Sequence, residues 1–593
     1  MCGINGMINS QQQPSHEDVA LVSQMNEMSY TRGPDSEGLL KRGQFVFGHT
    51  RLSIIDLSEN SAQPLWDPYL RLGMVFNGEI YNYKQIKEEL VGKGYEFFSD
   101  GDTEVLLKAY HCYGEDFVNK LNGMFAFCLW DQEKQKTILG RDRLGIKPLY
   151  YTTTNNKLYL SSYMPTLLEI PGRSWNVSPE NLQYYLQFHS VVPEDKTIID
   201  GIHKVKPGHL ITFDKNFRVS EKKYWDLRAQ RRDEYKHFQL KDWKELLHEK
   251  LVESVDRRLV ADVPVGVFLS GGLDSSLITA LAAERVSDLN TFSVGFKGAK
   301  TEDGDEFVYS DMVAKKFNTK HHKLEVSTKE LLENLDSVFV AMNEPMISHD
   351  NVGFYLLSKF ASKQLKVVQS GQGADEVFGG YRWYPPMLEK GSGFETYREN
   401  FFDRSPKEYK NMLNSNWFVD QDIAGDYVKS WFDSQDAESQ LDKALKLDTQ
   451  VMLVDDPVKR VDSMTMAWSL EARVPFLDHE LVELAALMPS EMKIGPQGEG
   501  KYILRQLGYD LLPKEVIDRP KGYFPVPELK YIGGPFLDYC KEIMNTKQAK
   551  ERGIFTDDYV NTLMAAPQDF LTPLQCSKLW QIVSLEKWLQ THL

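Results

Sequence analysis

The second residue of the chain is a cysteine, and a glycine follows it. Removal of Met1 would place the Cys2 thiol beside its own free α-amine, so one residue would hold both a nucleophile and a base. A thiol ionises near about 8.5 and an α-amine near about 8. The amine can therefore take the thiol proton, directly or through water, as sulfur attacks a carboxamide carbon. Taken alone, a cysteine this close to a terminus reads better as an inert, disordered residue.

A second stretch with chemical content is VPVGVFLSGGLDSSLITALAAE (263–284). It reads as a buried strand, a small polar loop and a helix whose first turn carries Asp274, Ser275 and Ser276. Backbone N–H groups exposed by glycines at a helix start bind phosphate oxygens, and serine hydroxyls add donors. The blander alternative is a tight turn in which Asp274 or Ser275 only caps the helix. Downstream, GPQGEGKY (495–502) fits the spacing of a P-loop, but Tyr502 replaces the serine or threonine that would hold Mg²⁺. No convincing buried strand precedes it, so a P-loop is rejected there and Lys501 is kept as a cation for phosphate.

These residues need elements to position them. Up to about residue 225 the chain reads as short strands separated by turns, among them 45–57, 72–83, 123–131 and 158–163, with helices near 84–92 and 103–113. That mixture predicts an α+β domain over 2–212. The charged stretch 213–237 lacks apolar periodicity and is the expected linker to a second domain over 238–593. There Trp243, Leu246, Leu247, Leu251, Val255 and Leu259 recur at helical spacing. Strands VPVGVFLS, TFSVGF, HKLEV and LKVVQSG then alternate with helices, one of them opened by a Ser327/Glu330 capping box. Such alternation implies a parallel sheet covered on both faces, with ligands at the carboxyl ends of its strands. Beyond about 395 the pattern is mostly helical.

Bulk composition narrows the function classes. The 593 residues include 69 basic and 85 acidic side chains, a net charge of −16, which disfavours nucleic acid and anionic membranes as partners. The five cysteines are scattered, without CxxC pairs, so a reducing, cytoplasmic setting is expected. Neither a membrane-spanning apolar run nor a signal peptide is read in the sequence.

The motifs carry a resemblance. Cys2-Gly3, RGPDSEG (32–38), HTRLSIID (49–56), FNGEIYN (76–82), GDTEVLL (101–107), GMFAF (123–127) and GRDRLGIKPLYY (140–151) resemble a class II glutamine amidotransferase domain. SGGLDSS (270–276), SGQGADEVFGGY (370–381) and SLEARVPFLDHELVELA (469–485) resemble the synthetase domain of the glutamine-hydrolysing asparagine synthetase family. The likeness runs nearly end to end. It implies a glutaminase domain of N-terminal-nucleophile fold followed by an ATP-pyrophosphatase-type α/β domain. It also implies ATP as a substrate, Mg²⁺, and an internal route for ammonia. The expected partners are small molecules only: glutamine, ATP and a carboxylate acceptor. A homo-oligomer is left open.

Carried over residue by residue, the resemblance assigns Cys2 as nucleophile, with the Asn77 side chain and the Gly78 N–H as oxyanion donors. Arg51 would clamp the glutamine α-carboxylate, and Glu79 and Asp102 would receive its ammonium. Ser270, Gly271, Gly272, Asp274, Ser275, Val294, Ser370, Gly371 and Lys501 would line the nucleotide and pyrophosphate site, with Asp274 and Asp375 as metal ligands. Arg473, in EARVPFLD, reads either as part of that site or as half of a structural ion pair.

One position breaks the pattern. Enzymes that amidate aspartate usually carry a glutamate where this chain has Gln372, in SGQGADE. A carboxamide can neither take a proton from ammonia nor pair with a substrate ammonium. Together with NEPMISHDNVGFYLLSK (343–359), QGADEVFGGYRWYPP (372–386) and DRPKGYFPVPELKY (518–531), Gln372 resembles the branch that amidates N-acetylglutaminylglutamine. Gln372 is thus the acceptor-site candidate, and asparagine synthesis from aspartate is the alternative. A non-catalytic or storage protein is the distant one, and it would predict loss of Cys2 or of the loop.

Overall fold

The computed structural model describes residues 2–296, 307–519 and 526–593. The first half is built on two six-stranded antiparallel sheets. One runs His203–Lys204, Tyr150–Thr154, Lys157–Ser161, Gly3–Asn9, Phe45–Arg51, Ser36–Arg42. The other runs Val219–Lys223, His209–Phe213, Lys136–Arg141, Gly123–Asp131, Leu72–Ile80, Leu65–Asp67. Alternating side chains of facing strands, such as Ile4, Ile8, Phe47, Val75 and Cys128, form a separate apolar cluster. The opposite faces are apolar too, so each needs helices. Val22 and Met25 of the helix His16–Met28 join Met7 and Val46 of the first sheet. Val105, Leu106 and Ala109 of the helix Asp102–Tyr113 join Met74, Phe76 and Phe127 of the second. This is the layered α+β arrangement expected of an N-terminal-nucleophile domain. The charged stretch 213–237 holds the edge strand Val219–Lys223, fully paired with His209–Phe213.

The helix Leu240–Arg257 opens the second half, burying Trp243, Leu247, Leu251 and Val255 as their spacing requires. A five-stranded, all-parallel sheet follows in the order Lys320–Val326, Asn290–Phe296, Val265–Phe268, Val367–Gln369, Glu471–Arg473. The Ser327/Glu330 capping box forms in both directions: the Glu330 N–H donates to Ser327 Oγ at 3.2 Å and the Ser327 N–H to Glu330 Oε2 at 2.9 Å. The remainder is helical up to Lys578–His592. Chain direction in the sheet reverses its build-out at Val265–Phe268, because the next strand lies on one side and Val367–Gln369 on the other. A ligand crevice opens at such a switch point.

The fifth strand, Glu471–Arg473, is the one that sequence pattern does not reveal. Two of its three residues are charged, yet all three are buried. GPQGEGKY follows a short helix, Ser490–Lys493, so no strand feeds it, in accord with the rejection of a P-loop. Of the stretch 518–531, residues 520–525 lie outside the described residues.

Candidate active sites on both domains

Residue 2 enters the first sheet already anchored. The Cys2 N–H donates to Asn77 Oδ1 at 3.0 Å, the Gly3 N–H to Thr50 Oγ1 at 3.1 Å, and Arg32 Nε to the Cys2 carbonyl at 3.2 Å. Burial pushes the thiol above its ordinary value, while the Leu52 N–H and Arg51 act in the opposite sense. A base close to sulfur is therefore needed. Cys2, Arg51, Gly78, Glu79 and Asp102 line one small pocket, so five of the six residues assigned to glutamine chemistry or binding converge, and the sixth, Asn77, borders it through Cys2.

The details of that pocket suit its expected work. Asn77 is wholly buried, and its Nδ2 has no hydrogen-bond partner. Gly78 has φ +153°, and a Cβ there would lie 2.1 Å from the Met124 carbonyl oxygen, so only glycine fits. Arg51 gives Nη1 to the Ser58 carbonyl at 2.8 Å and Nη2 to the Asp56 carbonyl, which fixes the plane of its guanidinium. Asp56 in turn holds that loop through Ser58 Oγ and Ser61 Oγ, each at 2.6 Å. Asp102 begins a helix and accepts the Ile80 N–H at 3.0 Å, and burial raises its carboxyl to about 6. Glu79 is pushed up by burial and by the nearby Glu471, in spite of Arg473, and its Oε2 has no hydrogen-bond partner.

Arg473 belongs here and not to the nucleotide loop. Its Nε donates to Glu471 Oε1 at 2.6 Å, and its Nη1 to the carbonyls of Arg258 and Val260. Its Nη2 faces Glu79 Oε1 at 3.4 Å, an ion pair between the two domains. The structural reading of EARVPFLD thus holds, with an added reach into the glutamine pocket.

The second site lies at the switch point. SGGLDSS leaves the strand Val265–Phe268 and enters the helix Leu273–Ala283 with Gly272 as N-cap. Gly271 takes φ +71°, and a Cβ on it would sit 2.6 Å from the Ser310 nitrogen. The loop is laced internally: Ser270 Oγ and Ser275 Oγ lie 3.1 Å apart, and the Ser270 N–H donates to Ser275 Oγ at 3.2 Å. SGQGADE leaves the adjacent strand Val367–Gln369 and lies against it, for a Cβ at residue 371 would be 3.1 Å from the Ser275 nitrogen. Ser370 is held by its N–H on the Arg473 carbonyl at 2.8 Å, and Gln372 follows, half-buried. Val294 is buried in the strand on the other side of Val265–Phe268.

Lys501, 227 residues from Asp274 in sequence, closes this site. Its Nζ lies 2.6 Å from Asp274 Oδ2 and 2.8 Å from Asp375 Oδ2. Burial disfavours its charge, but the two carboxylates outweigh that and hold its pKa above the ordinary lysine value. Lys501 itself sits at φ +57°, and its N–H donates to the Phe378 carbonyl. The described residues contain no group of three or more side chains poised as metal ligands. Two carboxylates on one nitrogen are nonetheless a donor set that suits Mg²⁺ together with phosphate oxygens.

Sequence reasoning missed the residues that join the sites. Arg32 Nη1 pairs with Asp462 at 2.9 Å while its Nε holds the Cys2 carbonyl, and Lys147 reaches the same Asp462 at 3.4 Å. Lys204 pairs with Asp455 at 2.7 Å. Arg32 and Lys147 stand inside quoted motifs, but nothing local to those motifs names a partner hundreds of residues away.

An amidohydrolase pocket built on residue 2 and a phosphate loop on a parallel sheet, in one chain, define a glutamine-dependent amidotransferase ligase. Comparison with known proteins agrees: the sequence matches the glutamine amidotransferase domain over residues 1–225 and the asparagine synthase family over 246–590. It is 32% identical to asparagine synthetase [glutamine-hydrolyzing] 1 of Bacillus subtilis, covering 95% of this chain and 91% of that protein. It is 31% identical to asparagine synthetase [glutamine-hydrolyzing] 3 of the same organism, covering 88% and 87%. The chain belongs to the glutamine-hydrolysing asparagine synthetase family. All five of its cysteines are free thiols, and no helix among the described residues is long and apolar enough to cross a membrane.

Proposed function

We propose that this enzyme hydrolyses glutamine at Cys2, adenylates an acceptor carboxylate at the SGGLDSS loop, and amidates it with the ammonia released. The mature chain begins at Cys2. Its α-amine accepts the thiol proton as sulfur attacks the glutamine carboxamide, and the oxyanion is met by Asn77 Nδ2 and the Gly78 N–H. Arg51 takes the α-carboxylate by its planar fork, and Glu79 with Asp102 takes the α-ammonium. Ammonia leaves, and water then releases glutamate from the thioester.

In the second domain the acceptor carboxylate attacks the α-phosphorus of ATP, and pyrophosphate departs into the loop of Ser270, Gly271, Gly272, Asp274 and Ser275. Lys501 neutralises the charge that develops there. Val294, Ser370 and Gly371 border the nucleoside. Asp274 and Asp375 are the residues that would hold Mg²⁺, which balances phosphate charge when bound. Ammonia must arrive unprotonated, so its route crosses the domain interface. The products are the amide, glutamate, AMP and pyrophosphate. We place the enzyme in the cytoplasm and give it small-molecule partners, neither nucleic acid nor membrane, with its oligomeric state open.

The best reading of the acceptor is an N-acylated dipeptide carboxylate, with N-acetylglutaminylglutamine as the specific candidate. The observation that carries it is Gln372, a neutral side chain in the loop that packs on the pyrophosphate loop. An acceptor with a free ammonium would be desolvated there without the usual glutamate. The names of the relatives favour aspartate as the second reading. Pyrophosphate release with glutamine, ATP and each acceptor separates the two. The proposal expects the dipeptide to be the better substrate, and a far higher kcat/KM for aspartate would make the enzyme an asparagine synthetase.

A further inference from the structure

In the proposed mature chain residue 2 has a covalent neighbour on one side only, so its aim depends on what its carbonyl and amine touch. The amine lies on Asn77 Oδ1 at 3.0 Å, and the carbonyl accepts the Arg32 Nε–H at 3.2 Å. Arg32 is buried at the end of the short turn Tyr30–Arg32. A second thread joins this turn to the nucleophile. The Gly3 N–H donates to Thr50 Oγ1 at 3.1 Å, and that hydroxyl donates to the Ser29 carbonyl at 3.2 Å.

The far side of the turn is held by the other domain. Arg32 Nη1 donates to Asp462 Oδ2 at 2.9 Å, and Ser469 Oγ donates to the Thr31 carbonyl at 2.7 Å. Asp462 stands on the helix Lys459–Met466, all eight residues of which are buried, so its carboxylate has a fixed origin. A guanidinium is planar and its N–H groups point in set directions. A carboxylate seated on Nη1 therefore decides where Nε points. Lys147 also reaches Asp462, at 3.4 Å, but Glu471 and Asp142 face that lysine as well, so it keeps countercharge without Asp462.

We infer that Asp462 is a positioning residue for glutamine hydrolysis: acting through Arg32, with Ser469 as a second tie on the same turn, it lets the synthetase domain set the aim of the nucleophile in the other domain. The inference rests on the reading of Cys2 as that nucleophile. Reacting atoms must meet within about 3–3.5 Å, and a misplacement of about 1 Å costs on the order of a hundredfold. Neither Asp462 nor Arg32 lines the glutamine pocket, so their loss should slow attack and leave substrate binding in place.

The test is steady-state glutamine hydrolysis by the full-length enzyme carrying Asp462→Asn, Arg32→Lys or both. Each single change should lower kcat by about tenfold or more while KM for glutamine stays within about twofold. The double variant should be no slower than the slower single one, because the two residues act in series. Synthesis with added ammonia should remain within about threefold, which reports an intact fold. Ser469→Ala removes only the hydroxyl on Thr31 and should lower kcat by about threefold. An unchanged kcat in Asp462→Asn, a loss carried by KM, or losses that multiply in the double variant would overturn the inference. Should Asp462→Asn not fold, an unchanged kcat in Ser469→Ala would do so. Hydrolysis that persists in Cys2→Ala would instead remove the reading of Cys2, and the inference with it.

Discussion

In the glutamine pocket the Asn77 amide and the Glu79 carboxylate keep buried atoms without hydrogen-bond partners, whereas beside the SGGLDSS loop Asp274 and Asp375 both close on Lys501. A ligand entering the first pocket completes interactions that the fold has left open, so little has to move. A ligand entering the second must exchange its own oxygens for contacts the protein already makes. The first site is therefore preorganised in the sense that lowers a barrier. The second is held together by its own charges, and rearranges as phosphate and metal take them over.

Substitutions at the two sites should show that contrast. The largest expected effect is Cys2→Ala, which should remove glutamine-dependent synthesis by about a thousandfold or more while ammonia-dependent synthesis persists. Equal loss with both nitrogen sources would mean that the two pockets do not divide the chemistry. Next, Lys501→Ala leaves Asp274 and Asp375 facing each other as like charges. Acceptor-dependent pyrophosphate release should fall by about a hundredfold, with basal glutamine hydrolysis spared. Normal synthesis in that variant would take Lys501 out of the site.

The carboxyl of Asp102 gives the first pocket a pH signature. Its pKa is raised to about 6, so the anion proposed to receive the substrate ammonium is lost as pH falls through that value. The kcat/KM for glutamine should drop about tenfold between pH 6.5 and pH 5, and the drop should be absent from the ammonia-dependent reaction when the ammonia concentration is corrected for protonation. Stability moves the other way. A carboxyl whose folded value is raised favours the folded chain below its unfolded value, and that contribution disappears as pH rises through about 6. A flat profile for glutamine across this range would separate Asp102 from ammonium binding. The smallest effect concerns Gln372→Glu, which should weaken use of the dipeptide acceptor by about fivefold without creating efficient aspartate amidation, because a half-buried neutral amide becomes a charge while the rest of the site is unchanged. Steady-state kinetics with both acceptors reads it directly.

How much of this was legible beforehand depended on whether the governing interaction was local. The strands Leu72–Ile80 and Gly123–Asp131 follow from short apolar runs buried on both faces, and the helix Leu240–Arg257 from apolar period on one face. Glu471–Arg473 was not legible as a strand, because its charges are buried by partners on another domain, Glu79 among them. Val219–Lys223 is entirely exposed, so it has no apolar face to betray it, and its pairing with His209–Phe213 is a backbone matter. At the sites, residue types and motif order pointed to Cys2, Asp274 and Asp375. The approach of Lys501 to both aspartates, and of Arg32 to Asp462, depends on how distant segments fold together, and no spacing encodes it.

The ion pair between Glu79 and Arg473 bears on how such a protein can be taken apart or recombined. A residue assigned to glutamine binding has its nearest cation in the other domain, 3.4 Å away and buried from water. A fragment ending near Lys223 would keep every strand of its sandwich, yet expose a carboxylate whose counterion had stayed behind. Grafting the glutaminase half onto an unrelated synthetase would carry the same penalty unless the recipient offered a matching arginine on its outermost strand. The two halves behave as a lock cut to one key, and lineages that shuffle such domains would have to exchange them together or repair that contact afterwards.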